Sequence, residues 1–169
     1  MILGVTELRG RTGHAAGREL LSALYRRETG RDLPEILTSP RGKPYFPQGD
    51  WHFSISHTPR RAFVVLAREP VGLDAEELDR PLSPRLPEKI LSPGELRRYE
   101  AAPEKQRALL SLWVLKEAQA KFTGEGLRGF PCRTDFSPDD PRLLEIQGCI
   151  AALITASGRT ISQEDIYVI

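Results

Sequence analysis

Between Trp51 and Glu76 three strand-like segments follow one another with only short breaks, and this stretch does most to limit the folds open to the chain. Trp51-His52-Phe53-Ser54-Ile55-Ser56 alternates large apolar and polar residues, the pattern of a half-buried strand. Thr58-Pro59-Arg60-Arg61 turns the chain, and Ala62-Phe63-Val64-Val65-Leu66-Ala67 reads as a strand buried on both faces. After a break at Glu69-Pro70 comes Val71-Gly72-Leu73-Asp74-Ala75-Glu76. Any fold for this chain must therefore be built around sheet.

The flanks add helices. Residues 2–8 are predicted as a first strand, and Ala15–Tyr25 as a helix with Leu20, Leu21 and Leu24 on one side, closed by Thr29-Gly30. Pro81, Pro84, Pro87 and Pro93 forbid one long helix across 77–94, though a short one fits around Leu86–Leu91. A stronger helix is predicted from Pro103 to Phe122, with Pro103 in its first turn and Gly124 past its end. Leu109, Leu112, Trp113, Lys116 and Ala120 share its broad face. Residues 130–142 read as loop, Cys149–Thr155 as a strand, Ser157-Gly158-Arg159 as a turn and Asp165–Ile169 as a last strand.

Composition excludes several classes. Hydrophobic residues at 40% are too many for a disordered chain, and a net charge of +1 with no basic stripe leaves no electrostatic footprint for nucleic acid. The longest apolar runs, such as Ala62–Ala67, are far below the roughly 18–20 residues that span a bilayer, and the N-terminus lacks the pattern of a signal peptide. Cys132 and Cys149 form no metal-type pair and no disulfide framework. A cytoplasmic protein with reduced thiols is expected.

Four groups of residues could carry chemistry. Asp74 and Glu76, two apart in a strand, put both carboxylates on one face and Val71, Leu73 and Ala75 on the other. Gly72 on the acidic face leaves room for something bulky. A hard divalent cation would relieve the repulsion between the carboxylates. The alternative is an exposed polar face. Trp113, Glu117 and Lys121 recur along one stripe of the predicted helix, flanked by Lys116, and Glu117 with Lys121 also makes an ordinary helical ion pair. Ser56-His57 ends a strand at a turn, where histidine is commonly a plain surface residue. Gly42-Lys43-Pro44 is not a nucleotide-binding P-loop, because the upstream glycine and the following Ser or Thr are missing. Gly124-x-Gly126-x-x-Gly129 matches a dinucleotide fingerprint in letters, but these glycines follow a helix instead of opening one after a strand.

Taken in order, Gly42-Lys43-Pro44, Phe53–His57, Val71-Gly72-Leu73-Asp74-Ala75-Glu76 and Trp113-x-x-Lys116-Glu117-Ala118-x-x-Lys121 resemble the 4′-phosphopantetheinyl transferase superfamily, in particular its larger, surfactin-synthetase-activating branch. The signatures of that family are V-G-[VI]-D and, some forty residues on, [FW]-x-x-K-E-[AS]-x-x-K. Leu73 is a mild departure at an apolar position. The resemblance implies transfer of the phosphopantetheine arm of coenzyme A (CoA) to a serine of an acyl, polyketide or peptidyl carrier protein, with release of 3′,5′-ADP. It implies Mg²⁺ held by Asp74, Glu76 and Glu117, with Lys121 assisting the leaving phosphate. Glu95 resembles the family's base for the carrier serine, with a water at the metal as the alternative. Lys43, Ser56, His57 and Lys116 resemble contacts to CoA phosphates.

The chain is short for the larger branch, mostly before Gly42, and the basic residues that grip the CoA 3′-phosphate there have only Arg9, Arg11 and Arg18 as candidates. The fold expected is α+β: two pseudo-symmetric α+β halves, 1–70 and 71–169, packed together with the active site at their interface. Such a pseudo-dimer is expected to be a monomer, with no nucleic-acid or membrane partner. The smaller branch of the family, a trimer with sites between subunits, is the structural alternative. The rival functions are a non-catalytic carrier-protein or CoA binder of the same fold, and another Mg²⁺-dependent phosphoryl-transfer or hydrolytic enzyme.

Overall fold

A computed structural model describes residues 1–126 and 134–169. Cys132, and the Leu127–Gly129 end of the glycine-rich match, lie outside the described residues.

Strand β1 (Ile2–Glu7) runs antiparallel to β5 (Arg61–Ala67), with Ile2 opposite Leu66 and Glu7 opposite Arg61. Strand β4 (His52–His57) pairs antiparallel with the other edge of β5. The last strand, β9 (Ile166–Val168), preceded by a 3₁₀ turn at Gln163–Asp165, lies parallel to β1. The first sheet is thus ordered β4-β5-β1-β9. The second is ordered β6-β8-β7, all antiparallel, from β6 (Val71–Glu77), β7 (Leu143–Ile146) and β8 (Cys149–Thr155). A two-residue ladder, β2 (Leu37–Thr38) with β3 (Pro44–Tyr45), closes the turn that carries Gly42 and Lys43.

Period-two burial stacks these sheets. Leu3, Val5, Phe63, Val65 and Ala67 of the first sheet pack against Val71, Leu73, Ala75, Ala151 and Leu153 of the second, forming a central core. The opposite face of the first sheet is covered by α1 (Gly13–Thr29), through Leu20, Leu21 and Leu24 against Phe53, Val64 and Leu66. The opposite face of the second is covered by α4 (Lys105–Thr123), with α2 (Leu86–Ile90) and α3 (Pro93–Ala101) alongside. Helix, sheet, sheet and helix form four layers, an α+β fold as expected. β9 crosses back to the first sheet, so a division at residue 70 separates the two sheets everywhere except at this strand.

Local signals explain most element ends. Thr12 accepts the Ala15 N–H at the start of α1, and Gly30 ends the helix at φ 70°. Gly124, at φ 71°, ends α4 in the same way. The helix predicted from Pro103 is corrected at its start: Pro103 lies in the link between α3 and α4, and α4 begins at Lys105. The independent helix α3 opens with a capping box, Ser92 to Glu95, with Pro93 in its first turn. The buried surface of α4 extends well beyond the predicted face, from Ala108 to Leu112 and on to Val114, Leu115 and Ala118, because the helix is covered by both β8 and α3. Among the described residues, no helix is long and apolar enough to cross a membrane. Cys149 is a free, buried thiol, its pKa pushed up to about 12 by burial and the neighbouring Glu77.

Candidate active site

The two sheets present neighbouring free edges, β4 and β6, and unpaired strand edges need partners. Side chains supply them. The Ser54 hydroxyl accepts the Leu73 N–H at 3.0 Å, and the Ser56 hydroxyl accepts the Ala75 N–H at 3.2 Å. Thr58 donates to the Glu77 carboxylate at 2.5 Å. Alternate residues 54, 56 and 58 therefore stitch alternate residues 73, 75 and 77. Glu77 is also bound by Arg60 at 2.7 Å and Arg61 at 3.3 Å. The polar side of β4, expected to face solvent, is buried in this seam.

Asp74 stands at the seam. Its Oδ1 accepts from Ser56 at 2.8 Å and from Lys121 Nζ at 2.7 Å. Lys121 also reaches the Ile55 carbonyl at 3.3 Å, so one ammonium touches β4, β6 and α4. The residue is only 6% exposed, yet its Oδ2 has no partner. A buried carboxylate oxygen is seldom left in that state.

Helix α4 comes close because residue 72 is glycine. A Cβ there would fall 2.2 Å from the Ala118 carbonyl oxygen and 2.4 Å from the Phe122 nitrogen. The room predicted at Gly72 is filled by the helix backbone itself. This contact sets Glu117 and Lys121 beside Asp74. Burial raises the pKa of Glu117, and the charge of Asp74 raises it further, against the opposing pull of Lys121 and Arg80. Glu76 is held by an ion pair to Arg80, and its Oε1 accepts from Trp113 Nε1 at 3.3 Å. Asp74, Glu76 and Glu117 thus cluster with Lys121 and Arg80. They do not form a finished cage: no group of three or more His, Cys, Asp or Glu among the described residues is disposed to hold a metal as it stands. Asp74 and Glu76 are each occupied by a cationic side chain.

A cavity of about 290 Å³ opens beside the seam, lined by Gly42, Lys43, Ser54, Ile55, Glu117 and Lys121 among others. Lys43 donates to the Phe122 carbonyl at 2.7 Å, at the C-terminal end of α4, and its half-burial lowers its pKa. His57 is exposed and its ring lies against the start of α1, where a Cβ on Gly13 would meet His57 Cγ at 2.4 Å. Ser56 is committed to Asp74 and Ala75.

Glu95 and Lys116 are placed elsewhere. Glu95 is 0% exposed and Lys116 1%, and they form a buried ion pair at 2.7 Å. Both Glu95 oxygens are engaged: Oε2 with Lys116 and the Ser92 N–H, Oε1 with the Phe136 N–H. As placed, the expected base is buried between α3 and α4, paired with the expected phosphate-binding lysine. The adjacent Lys116 and Glu117 point from different faces of α4, one into the core and one into the seam. Sequence reasoning missed the stitching by Ser54 and Thr58, the Glu77 cluster and the Arg80–Glu76 pair. The alternation of hydroxyls at 54, 56 and 58 was the available signal for the first of these.

The two stacked sheets thus meet in a buried carboxylate–lysine seam beside a cavity. The sequence profile of the 4′-phosphopantetheinyl transferase superfamily matches residues 70–157, just over half of the chain, and the chain belongs to that superfamily. It is similar to the 4′-phosphopantetheinyl transferase psf-1 of Bacillus pumilus, with 34% identity over 93 residues. That similarity covers 53% of this chain and 40% of the relative, so the chain spans less than half of that protein.

Proposed function

We propose that the protein transfers the 4′-phosphopantetheine arm of CoA to a serine hydroxyl of an acyl, polyketide or peptidyl carrier protein, releasing 3′,5′-ADP. The observation that carries the reading is the unpartnered, buried Oδ2 of Asp74 beside Glu117. Oxygen donors of this kind suit a hard cation. Asp74, Glu76 and Glu117 would hold Mg²⁺ there, together with pyrophosphate oxygens of CoA. When bound, the ion would supply charge neutralisation to the pyrophosphate.

The protein's own groups do the rest. In the reaction a bond forms from the serine oxygen to the phosphorus that bears pantetheine. The bond from that phosphorus to the bridging oxygen breaks, 3′,5′-ADP leaves with the electron pair, and the serine proton passes to water or to the leaving phosphate. Lys121, fixed on Asp74 at the mouth of the cavity, offers its ammonium to the leaving phosphate. Lys43 and the exposed His57 would bind CoA phosphates. Ser56 orients Asp74 through its hydroxyl. Glu95 and Lys116 serve as a buried pair that anchors α3 to α4, so the proposal leaves the serine's base to a group other than Glu95.

The test is mass spectrometry of a panel of apo carrier proteins incubated with CoA, Mg²⁺ and the protein. A gain of one phosphopantetheine arm on any carrier is the expected result. No gain on any carrier, with the protein folded, favours a non-catalytic binder.

A further inference from the structure

Resting on the metal site proposed above, we infer that Arg80 is the resident counter-ion of the metal-free protein: it holds Glu76 until a divalent cation takes that carboxylate, and so sets the affinity for the metal. Lys121 and Arg80 each hold one oxygen of a candidate ligand. Lys121 binds Oδ1 of Asp74 and leaves Oδ2 open, so Asp74 can ligate without losing its lysine. Arg80 and Trp113 meet on Oε1 of Glu76, so a metal reaching that oxygen competes with the guanidinium directly.

The turn that carries Arg80 is fixed while its side chain is not. The Arg80 N–H donates to the Glu77 carbonyl at 3.0 Å, and Gln106 Nε2 donates to the Arg80 carbonyl at 2.8 Å. Neighbouring Asp79 is held by Arg60 at 2.7 Å. The Arg80 side chain is 41% exposed, so its head can swing from Glu76 into solvent without any unfolding. A pinned backbone under a releasable head suits a group that must leave and return.

Mn²⁺ serves as the probe, its free fraction followed by electron paramagnetic resonance with and without CoA, for the wild type, Arg80→Gln and Arg80→Lys. Removing a positive charge close to a divalent-cation site favours the cation, so Arg80→Gln is expected to bind Mn²⁺ about ten-fold more tightly. Without metal it is expected to melt lower than the wild type, because Glu76 is left uncompensated beside Asp74 and Glu117, and to gain more in melting temperature on adding Mn²⁺. Arg80→Lys keeps the charge but loses the planar fork, and falls between the two. Unchanged or weaker Mn²⁺ binding by Arg80→Gln overturns the inference while leaving the metal site intact. If Arg80→Gln does not fold, Arg80→Lys decides: affinity equal to or below the wild type overturns the inference. Wild-type protein that takes up no Mn²⁺ even with CoA overturns the metal reading itself, and the inference falls with it.

Discussion

Gly72→Ala tests the contact on which the whole seam depends. The added methyl would lie 2.2 Å from a backbone oxygen and 2.4 Å from a backbone nitrogen of α4, neither of which can rotate away. To restore ordinary contact the helix must retreat by about 1 Å, and overpacking of this kind costs about 1–3 kcal/mol, sometimes more. A retreat of that size stretches the 2.7 Å Lys121–Asp74 contact past hydrogen-bonding range. A lost charge-assisted bond adds about 1.5–3 kcal/mol. Alanine in a strand recovers about 0.5–1 kcal/mol relative to glycine. The net loss expected is about 1.5–5.5 kcal/mol, which moves a urea midpoint by about 1–3 M if the slope is about 2 kcal/mol per molar. Phosphopantetheine transfer should fall about 100-fold in the protein that remains folded, the scale for misplacing reacting groups by 1 Å. Urea titration followed by a transfer assay in the absence of denaturant separates the two effects. An unchanged midpoint would refute the close packing of α4 on β6. A lowered midpoint with wild-type transfer would show that the helix does not position the chemistry.

Other perturbations probe the same seam and its neighbours. Glu117→Gln should raise the melting temperature of the metal-free protein at pH 7, because burial and Asp74 raise the pKa of Glu117 and its ionised form is costly. That gain should vanish as pH falls below the ordinary glutamate range, where the wild-type group is protonated in both folded and unfolded states. Transfer should drop about 100-fold, and melting several degrees lower would instead make Glu117 a structural partner of Lys121. Lys43→Ala should weaken CoA binding by about 1.5–3 kcal/mol in calorimetry. The loss should be smaller with dephospho-CoA if its partner is the 3′-phosphate, and equal losses would place Lys43 on the pyrophosphate. Burial pushes the Glu77 carboxyl up, but hydrogen bonds from Arg60 and Thr58 outweigh it and hold the pKa down to about 2. The stability it contributes is therefore present above about pH 4.5 and lost as pH falls toward 2. Glu77→Gln should flatten that acid limb and cost about 2–3 kcal/mol at pH 7 in urea titrations, so an unchanged acid limb would remove Glu77 as its cause.

The elements legible in the sequence are those whose signal is local. Val71–Glu77 alternates core and seam residues without exception up to Glu76, and α1 carries its stop signal in Gly30. Helix α3 was legible in principle, since Ser92-Pro93-Gly94-Glu95 is a capping box, but it follows three other prolines that read together as irregular chain. Pairing between the first and last strands is not legible, because Leu3 and Ile166 meet only once everything between them has folded. The same holds for Glu95 and Lys116. Their residue types suggest exposed groups, and only the packing of α3 on α4 shows that the two meet as a buried ion pair.

The position of the candidate site follows from how the fold closes its edges. Two sheets that share a core leave β4 and β6 side by side with unpaired backbone groups, and apolar side chains could not satisfy them. Hydroxyls at Ser54 and Ser56 satisfy the Leu73 and Ala75 N–H groups, and Thr58 adds a bond to the Glu77 carboxylate, which makes this seam polar although it is buried. A carboxylate is tolerable in such a place, and Asp74 is held there by the same Ser56 hydroxyl that closes the Ala75 N–H. Gly72, two residues earlier on the same face of the strand, lets α4 descend far enough to bring Lys121 to that carboxylate. Ser56 therefore serves both the sheet edge and the site. This explains why the motif residues read in a strand and a distant helix converge where the two sheets meet and not on an outer face.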